Sequence, residues 1–294
     1  MRGLARDRFV LEMSTEHPPA YSIEEGERVI VECHDCHGGF VNRDGTVRPG
    51  SPGPNPATGP IEVKDAQPGE ALAITIHDVK PADWGFIAGG GGGEPFTVIE
   101  ISPAGRVEGR DGTATYPWGL RLPVNPVIGV IGLAPSGDPV PNTTPGDHGG
   151  NLDTPDICPG ATVLLPVAIP GAMLALGDVH ALQGDSECSG TGIECAAEVT
   201  LSVKRMKQAL WPCPLILRDD KLMLLASADT LDEAAWKAVA EMAKLLTQLT
   251  GLSDVEARRL LSTVGDIRIS QIVNPRKTCR AIIPKSAIPG RWPF

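Results

Sequence analysis

Ala172-Met173-Leu174-Ala175-Leu176, running straight on into Gly177-Asp178-Val179-His180-Ala181-Leu182-Gln183-Gly184-Asp185-Ser186-Glu187, decides how the rest of the chain is read. Five apolar residues give way to three carboxylates, an imidazole and a carboxamide within eleven positions. A strand that ends in an acidic, glycine-punctuated loop presents side chains at a rigid edge, where metal ions and polar substrates are handled. Asp178 and His180 are two apart, so in extended backbone both face the same way. Oxygen and imidazole converging from one face suit a divalent metal. The competing reading is a polar turn, with Asp and Gly present for turn chemistry.

Outward from this stretch, the composition agrees with a strand-rich protein. The 294 residues hold 34 glycines and 28 prolines but only 4% aromatic residues, which favours many short strands over a helical bundle. Such a length can bury one large core or two closely packed ones. A net charge of −10 argues against nucleic acid as a partner, because phosphates demand a basic surface. No run approaches the roughly 18 apolar residues of a membrane span. Met1 to Asp7 is basic and lacks the apolar core of a secretory signal. Seven cysteines, an odd number without a framework, predict a reduced, cytoplasmic protein.

Strands are predicted at 25–35, 61–63, 71–79, 161–167, 193–203 and 267–273, from period-two alternation or short apolar runs. Arg43–Gly59 and Pro123–Asp156 read as loop-rich, dense in Pro, Gly and Asn. The five glycines Gly89–Gly93 lack the Gly-Lys-Ser/Thr of a phosphate-binding loop and read as a flap or surface loop. Helical periodicity enters only late. Leu231, Ala235, Val239, Met242, Leu246 and Leu249 recur at helical steps, with Asp229 or Thr230 as N-cap and Gly251 as the stop. Ser253 and Glu256 have capping-box spacing for a second helix over 254–264. The expected fold is mainly β, a sandwich or barrel at 1–205 carrying the site. A smaller α+β part with a helical pair, 206–294, packs on it.

Two further segments carry chemistry. Cys33-His34-Asp35-Cys36-His37 resembles half of a zinc finger, but no second Cys-x-x-Cys follows. That leaves His34 and Asp35 at a strand end, either one able to ligate a metal; neighbours on a strand point to opposite faces. In Gly146–Asp153, Asn151 can offer an amide N–H to an oxyanion, and Asp153 can bind metal or orient a histidine. His17 and His77 read as structural.

Taken together, these segments resemble the acetamidase/formamidase family. The resemblance rests on Glu32–Gly39, Asn55-Pro56-Ala57-Thr58-Gly59-Pro60, Pro145–Asp153, Gly177–Glu187 and Gly265–Pro275, in the expected order over nearly the whole chain. It is closer to the shorter bacterial branch than to the longer fungal-type enzymes. The sequence departs from the family where Ser186 replaces the glycine of Gly-Asp-Gly-Glu, in one extra residue within Cys188–Gly192, and in its two cysteines around Asp35.

The resemblance implies metal-dependent hydrolysis of short aliphatic amides to acid and ammonia, and a homodimer or higher homo-oligomer. It makes His34, Asp35, Asp153, Asp178 and His180 the pool of metal ligands, for zinc first and calcium or manganese otherwise. Glu187 is then the general base, and Asn151 and Gln183 hold the substrate amide or its carbonyl oxygen. Two alternatives stay open. One is an altered relative that binds metal and a small ligand without turnover; the other is a hydrolase of a different C–N bond.

Overall fold

The computed structural model describes residues 1–88, 95–107, 110–209 and 211–288, so the five-glycine stretch Gly89–Gly93 lies outside the described residues. Two large sheets dominate. In spatial order, the nine-stranded sheet runs Arg2–Leu4, Arg28–Cys33, Ala197–Met206, Ala71–Pro81, Thr162–Pro166, Leu215–Arg218, Lys221–Ala228, Lys277–Pro284 and Asp266–Gln271. The main path of the second, eleven-stranded sheet runs Arg121–Pro123, Arg110–Thr115, Thr97–Val107, Trp84–Ile87, Glu194–Cys195, Leu174–His180, Val127–Gly132 and Gly149–Asn151. Ala57–Val63 branches from Leu174–His180.

One apolar core joins the two sheets. Val29, Val31, Ile74, Ile76, Val199 and Leu201 of the first meet Ile61, Ile128, Ile131, Leu174, Leu176 and Val179 of the second. The alternation expected for 71–79 and 193–203 is what supplies the first set. The C-terminal strands continue the nine-stranded sheet through Thr162–Pro166 and Leu215–Arg218. There the alternation serves two cores: Met223 and Leu225 face the sandwich, while Leu222 and Leu224 face the helices.

Those helices are α1, Leu231–Thr250, and α2, Asp254–Val264. Thr230 and Glu233 form a capping box on α1, and Gly251 ends it in the left-handed region at φ 75°. Ser253 and Glu256 repeat the box on α2. Ala238, Met242, Leu245 and Leu246 lie on the buried face of α1, packed on the sheet.

Two loop-rich stretches of the sequence contain strands instead. Ala57–Val63 begins inside the Asn-Pro-Ala-Thr-Gly-Pro block, and Val127–Gly132 lies wholly buried inside Pro123–Asp156. In both, glycine permits close backbone approach, not a turn. A Cβ on Gly59 would lie 2.7 Å from the Leu174 carbonyl oxygen. Among the described residues no helix is long and apolar enough to cross a membrane.

Candidate metal centre

The site forms where the strand Leu174–His180 ends, in the middle of the eleven-stranded sheet. His180 pairs across the sheet with Val127 on one side and Glu194 on the other. Asn151 lies one strand further, opposite Val130. The register on Val127–Gly132 skips from Ile128 to Val130, and Gly129 lies against Asp178. Asp178 takes φ 55°, Asp153 φ 40° and Glu187 φ 49°, all left-handed and unfavourable for residues with a Cβ. Strain of this kind concentrates where side-chain direction matters for function.

Two groups of potential ligand atoms result. Asp153, His180 and Glu187 form one and Cys36, Asp178 and Glu194 the other, with atoms in each group within 4.8 Å of one another. The groups adjoin, since His180 Nε2 is 3.1 Å from Glu194 Oε1 and 3.7 Å from Asp178 Oδ1. All six residues are buried.

Their surroundings orient them. Gln183 Nε2 donates to the Asp153 carbonyl at 2.7 Å, leaving Gln183 Oε1 as an acceptor for His180 Nδ1–H at 2.8 Å. That bond places a proton on Nδ1 and turns Nε2 toward the carboxylates. Asn55 donates to Asp178 Oδ2 at 2.7 Å, and Asn274 donates to Asp153 Oδ2 at 2.5 Å. Three acidic oxygens are left over, Asp153 Oδ1, Asp178 Oδ1 and Glu194 Oε2, which with His180 Nε2 are buried outside any well-formed hydrogen bond.

Buried acceptors without donors are costly, and several facing one another cost more. Burial, then repulsion from Asp178, raises the Asp153 pKa. Burial, then Asp153, raises Glu187, and burial and Asp178 raise Glu194. For His180, burial pulls the pKa down, but Glu194 and Asp178 outweigh it and the net shift is well upward. Burial and the neighbouring carboxylates also raise the Cys36 thiol.

The loop that carries Glu187 is anchored from the C-terminal strands. Ser186 N donates to the Ser270 carbonyl at 3.0 Å and Ile272 N to the Ser186 carbonyl at 3.1 Å. Buried Arg280 spans Asp185 and Asp156. Ser186 sits at φ 82°, a left-handed conformation that glycine adopts without strain.

Of the residues singled out from the sequence, Asp153, Asp178, His180, Glu187 and Gln183 come together. Asn151 is buried beside them, with its Oδ1 unpartnered. Asp35 is buried at the edge, where its Oδ1 accepts from the His37 and Gly39 amides. His34 belongs to neither group: the strand ends at Cys33, and the His34 ring meets Phe9 edge-on at 5.8 Å. Glu194 and Cys36 are the members that sequence reasoning missed. A lone carboxylate amid Ile193, Cys195, Ala196 and Ala197 is the signal that marks Glu194.

Gly129 tests this packing. A Cβ there would fall 2.5 Å from Asp153 Oδ1 and 2.7 Å from the Asp178 carbonyl oxygen. Gly129→Ala is expected to cost about 1–3 kcal/mol through overpacking and to displace both carboxylates. Thermal melts and elemental analysis of the purified variant check it; unchanged values for both would show the site is looser than its geometry.

Comparison with known proteins places this arrangement in a lineage. The sequence profile of the Acetamidase/Formamidase family matches residues 13–143 and 140–214. The acetamidase of Mycolicibacterium smegmatis is 26% identical over 260 residues, 65% of this chain and 64% of that protein. The formamidase of Methylophilus methylotrophus is 26% identical over 256 residues, 66% of this chain and 63% of that one. The chain thus spans less than two thirds of the length of these curated relatives. Crystal structures match over almost the whole chain. An acetamidase from Bacillus halodurans superposes with a TM-score of 0.88 at 41% identity, covering 96% of this chain and 97% of that one. A protein from Thermoanaerobacter tengcongensis, described as a predicted acetamidase/formamidase, gives 0.91 at 37% identity and 99% of each. The chain belongs to the acetamidase/formamidase family.

Proposed function

We infer that this protein hydrolyses carboxylic amides to acid and ammonia with the help of a bound divalent cation. The observation that supports it is the convergence of four buried, unpartnered acceptor atoms, from Asp153, Asp178, His180 and Glu194, beside the carboxyl of Glu187. A cation is the group that such a set lacks. Either of two adjoining sets would hold it, Asp153 and His180 beside Glu187 or Asp178 and Glu194 beside Cys36, and nitrogen and sulfur donors favour zinc over calcium or manganese. When bound, it supplies Lewis acidity toward the amide carbonyl and lowers the pKa of water.

The chain's own residues do the rest. Glu187, as the carboxylate, takes the proton of the attacking water, and the acid so formed delivers that proton to the departing nitrogen. Gln183 holds His180 in one tautomer, and Asn55 and Asn274 fix the two aspartates. Asn151 offers its side-chain amide to the substrate. The substrate is a small molecule, and the exposed Trp236, Val264 and Ile267 support assembly into a homo-oligomer.

Ammonia release from formamide, acetamide and propionamide, alongside elemental analysis, tests the reading. Activity is expected, with metal present, and it should vanish on chelation and return with zinc. Full turnover in verified metal-free protein would remove the cation from the mechanism. No ammonia from any amide, with cation bound, would leave a binding protein.

A further inference from the structure

Glu187 and Gln183 also border a second feature, a cavity of about 330 Å³ that opens beside the site. Its remaining walls are largely hydrocarbon. Ile87, Tyr116, Leu122, Leu182 and Ile193 line it, brought together from four separate parts of the eleven-stranded sheet and its connections. Ile87, Tyr116 and Leu182 are half-buried at the margin of the main core. Burial raises the Tyr116 pKa, so the ring presents a neutral face. Thr191 Oγ accepts from the Ala88 amide at 2.9 Å and ties the Ile87 wall to the loop that follows Glu187.

Size decides what this space suits. Water in the liquid occupies roughly 30 Å³, so the cavity has room for about eleven waters. Acetamide has four non-hydrogen atoms and would leave most of it filled by solvent against apolar walls. A primary amide carries both its oxygen and its nitrogen at one end. That end belongs at Glu187 and the buried centre behind it, which leaves only the acyl side chain to occupy the hydrocarbon walls.

We propose that the preferred substrates are primary amides of medium-sized apolar acids, with an aryl or branched alkyl acyl group seated among Ile87, Tyr116, Leu122, Leu182 and Ile193. The inference rests on the amidase reading and deepens it. The reaction is unchanged: the water oxygen bonds to the acyl carbon, the C–N bond breaks, and nitrogen leaves as ammonia with the proton carried by Glu187.

The test is kcat/KM for ammonia release by the full-length, metal-loaded protein from formamide, acetamide, propionamide, hexanamide and phenylacetamide. Each methylene seated in an apolar pocket is worth roughly tenfold or more in discrimination. Phenylacetamide and hexanamide should therefore exceed acetamide by roughly a hundredfold or more, a floor that two seated carbons already reach. Leu122→Trp, which fills the cavity from a half-exposed position, should remove that advantage and bring phenylacetamide and hexanamide down to the acetamide value or below it. If that variant does not fold, Ile87→Ala, which cuts back the opposite wall, should reduce the same preference. A kcat/KM that is flat or falls with acyl length would overturn the proposal while leaving the amidase reading intact. Faster hydrolysis of N-benzylacetamide than of phenylacetamide would overturn it too, by putting the hydrocarbon on the nitrogen side. Absence of ammonia from every amide would remove both.

Discussion

Glu187→Gln is expected to fold and bind the cation, yet to hydrolyse amides roughly 10²- to 10⁴-fold more slowly. The substitution keeps the shape of the side chain and its place in the loop anchored by Ser186 and Arg280. What it removes is the exchangeable proton. Burial and the negative charge of Asp153 hold that proton on Glu187 well above the ordinary carboxylate range. A carboxyl of this kind can protonate an amine leaving group, which a carboxamide cannot do. The loss should fall on kcat with KM little changed, because the interaction is made in the transition state. Steady-state kinetics with elemental analysis and a thermal melt separate the outcomes. A rate within threefold of the parent would take Glu187 out of the chemistry. Loss of the cation together with the rate would make Glu187 a ligand, as its place in one group with Asp153 and His180 allows.

Why Glu187 and its neighbours were visible in the sequence, and Glu194 was not, follows from where each signal resides. Asp178, His180, Gln183 and Glu187 sit within ten positions on one strand end and its loop, so local spacing already brings them together. The helices were equally legible, because capping boxes and an amphipathic stripe are local properties. Glu194 joins them only through the pairing His180–Glu194, a register set by the whole sheet. Cys36 was hidden by its motif: spacing suggested a partner for Cys33, whereas Cys33 packs into the main core and Cys36 faces Asp178 and Glu194. His34 and Asp35 part company because the strand ends just before them. The buried strand Val127–Gly132 was obscured by the prolines and glycines around it. Its own glycines are what let Gly149–Asn151 and Asp178 approach.

Metal-stripped protein is expected to become less stable as the pH rises from 6.5 to about 8.5, whereas cation-loaded protein should hold or gain stability. Asp153, raised only to about 6, has given up its contribution below this window, whereas Glu187, Glu194 and His180 have pKa values raised by folding into or beyond it. Each keeps its proton in the folded chain after the unfolded chain has released it. Such groups contribute fully below their unfolded values, near 4 for the carboxyls and near 6.5 for histidine, and the contribution drains as the pH climbs toward the folded values. His148 runs the other way. Burial lowers its pKa from 6.5 to about 4, so its contribution is present above 6.5 and is lost on acidification toward 4. Above pH 6.5 His148 is neutral in both states, and the slope there belongs to the centre. With each kcal/mol worth roughly 2–4 °C, the melting temperature in chelator should fall on the order of 5–10 °C across this window. A saturating cation substitutes for the protons, and its affinity rises as they leave. Thermal melts at stepped pH, with chelator and with zinc, measure both curves. Glu194→Gln should flatten the chelator curve, since its carboxyl is raised to about 8 and a carboxamide has no proton to lose. Parallel curves with and without zinc would mean that these buried carboxyls face one another without ever sharing a cation.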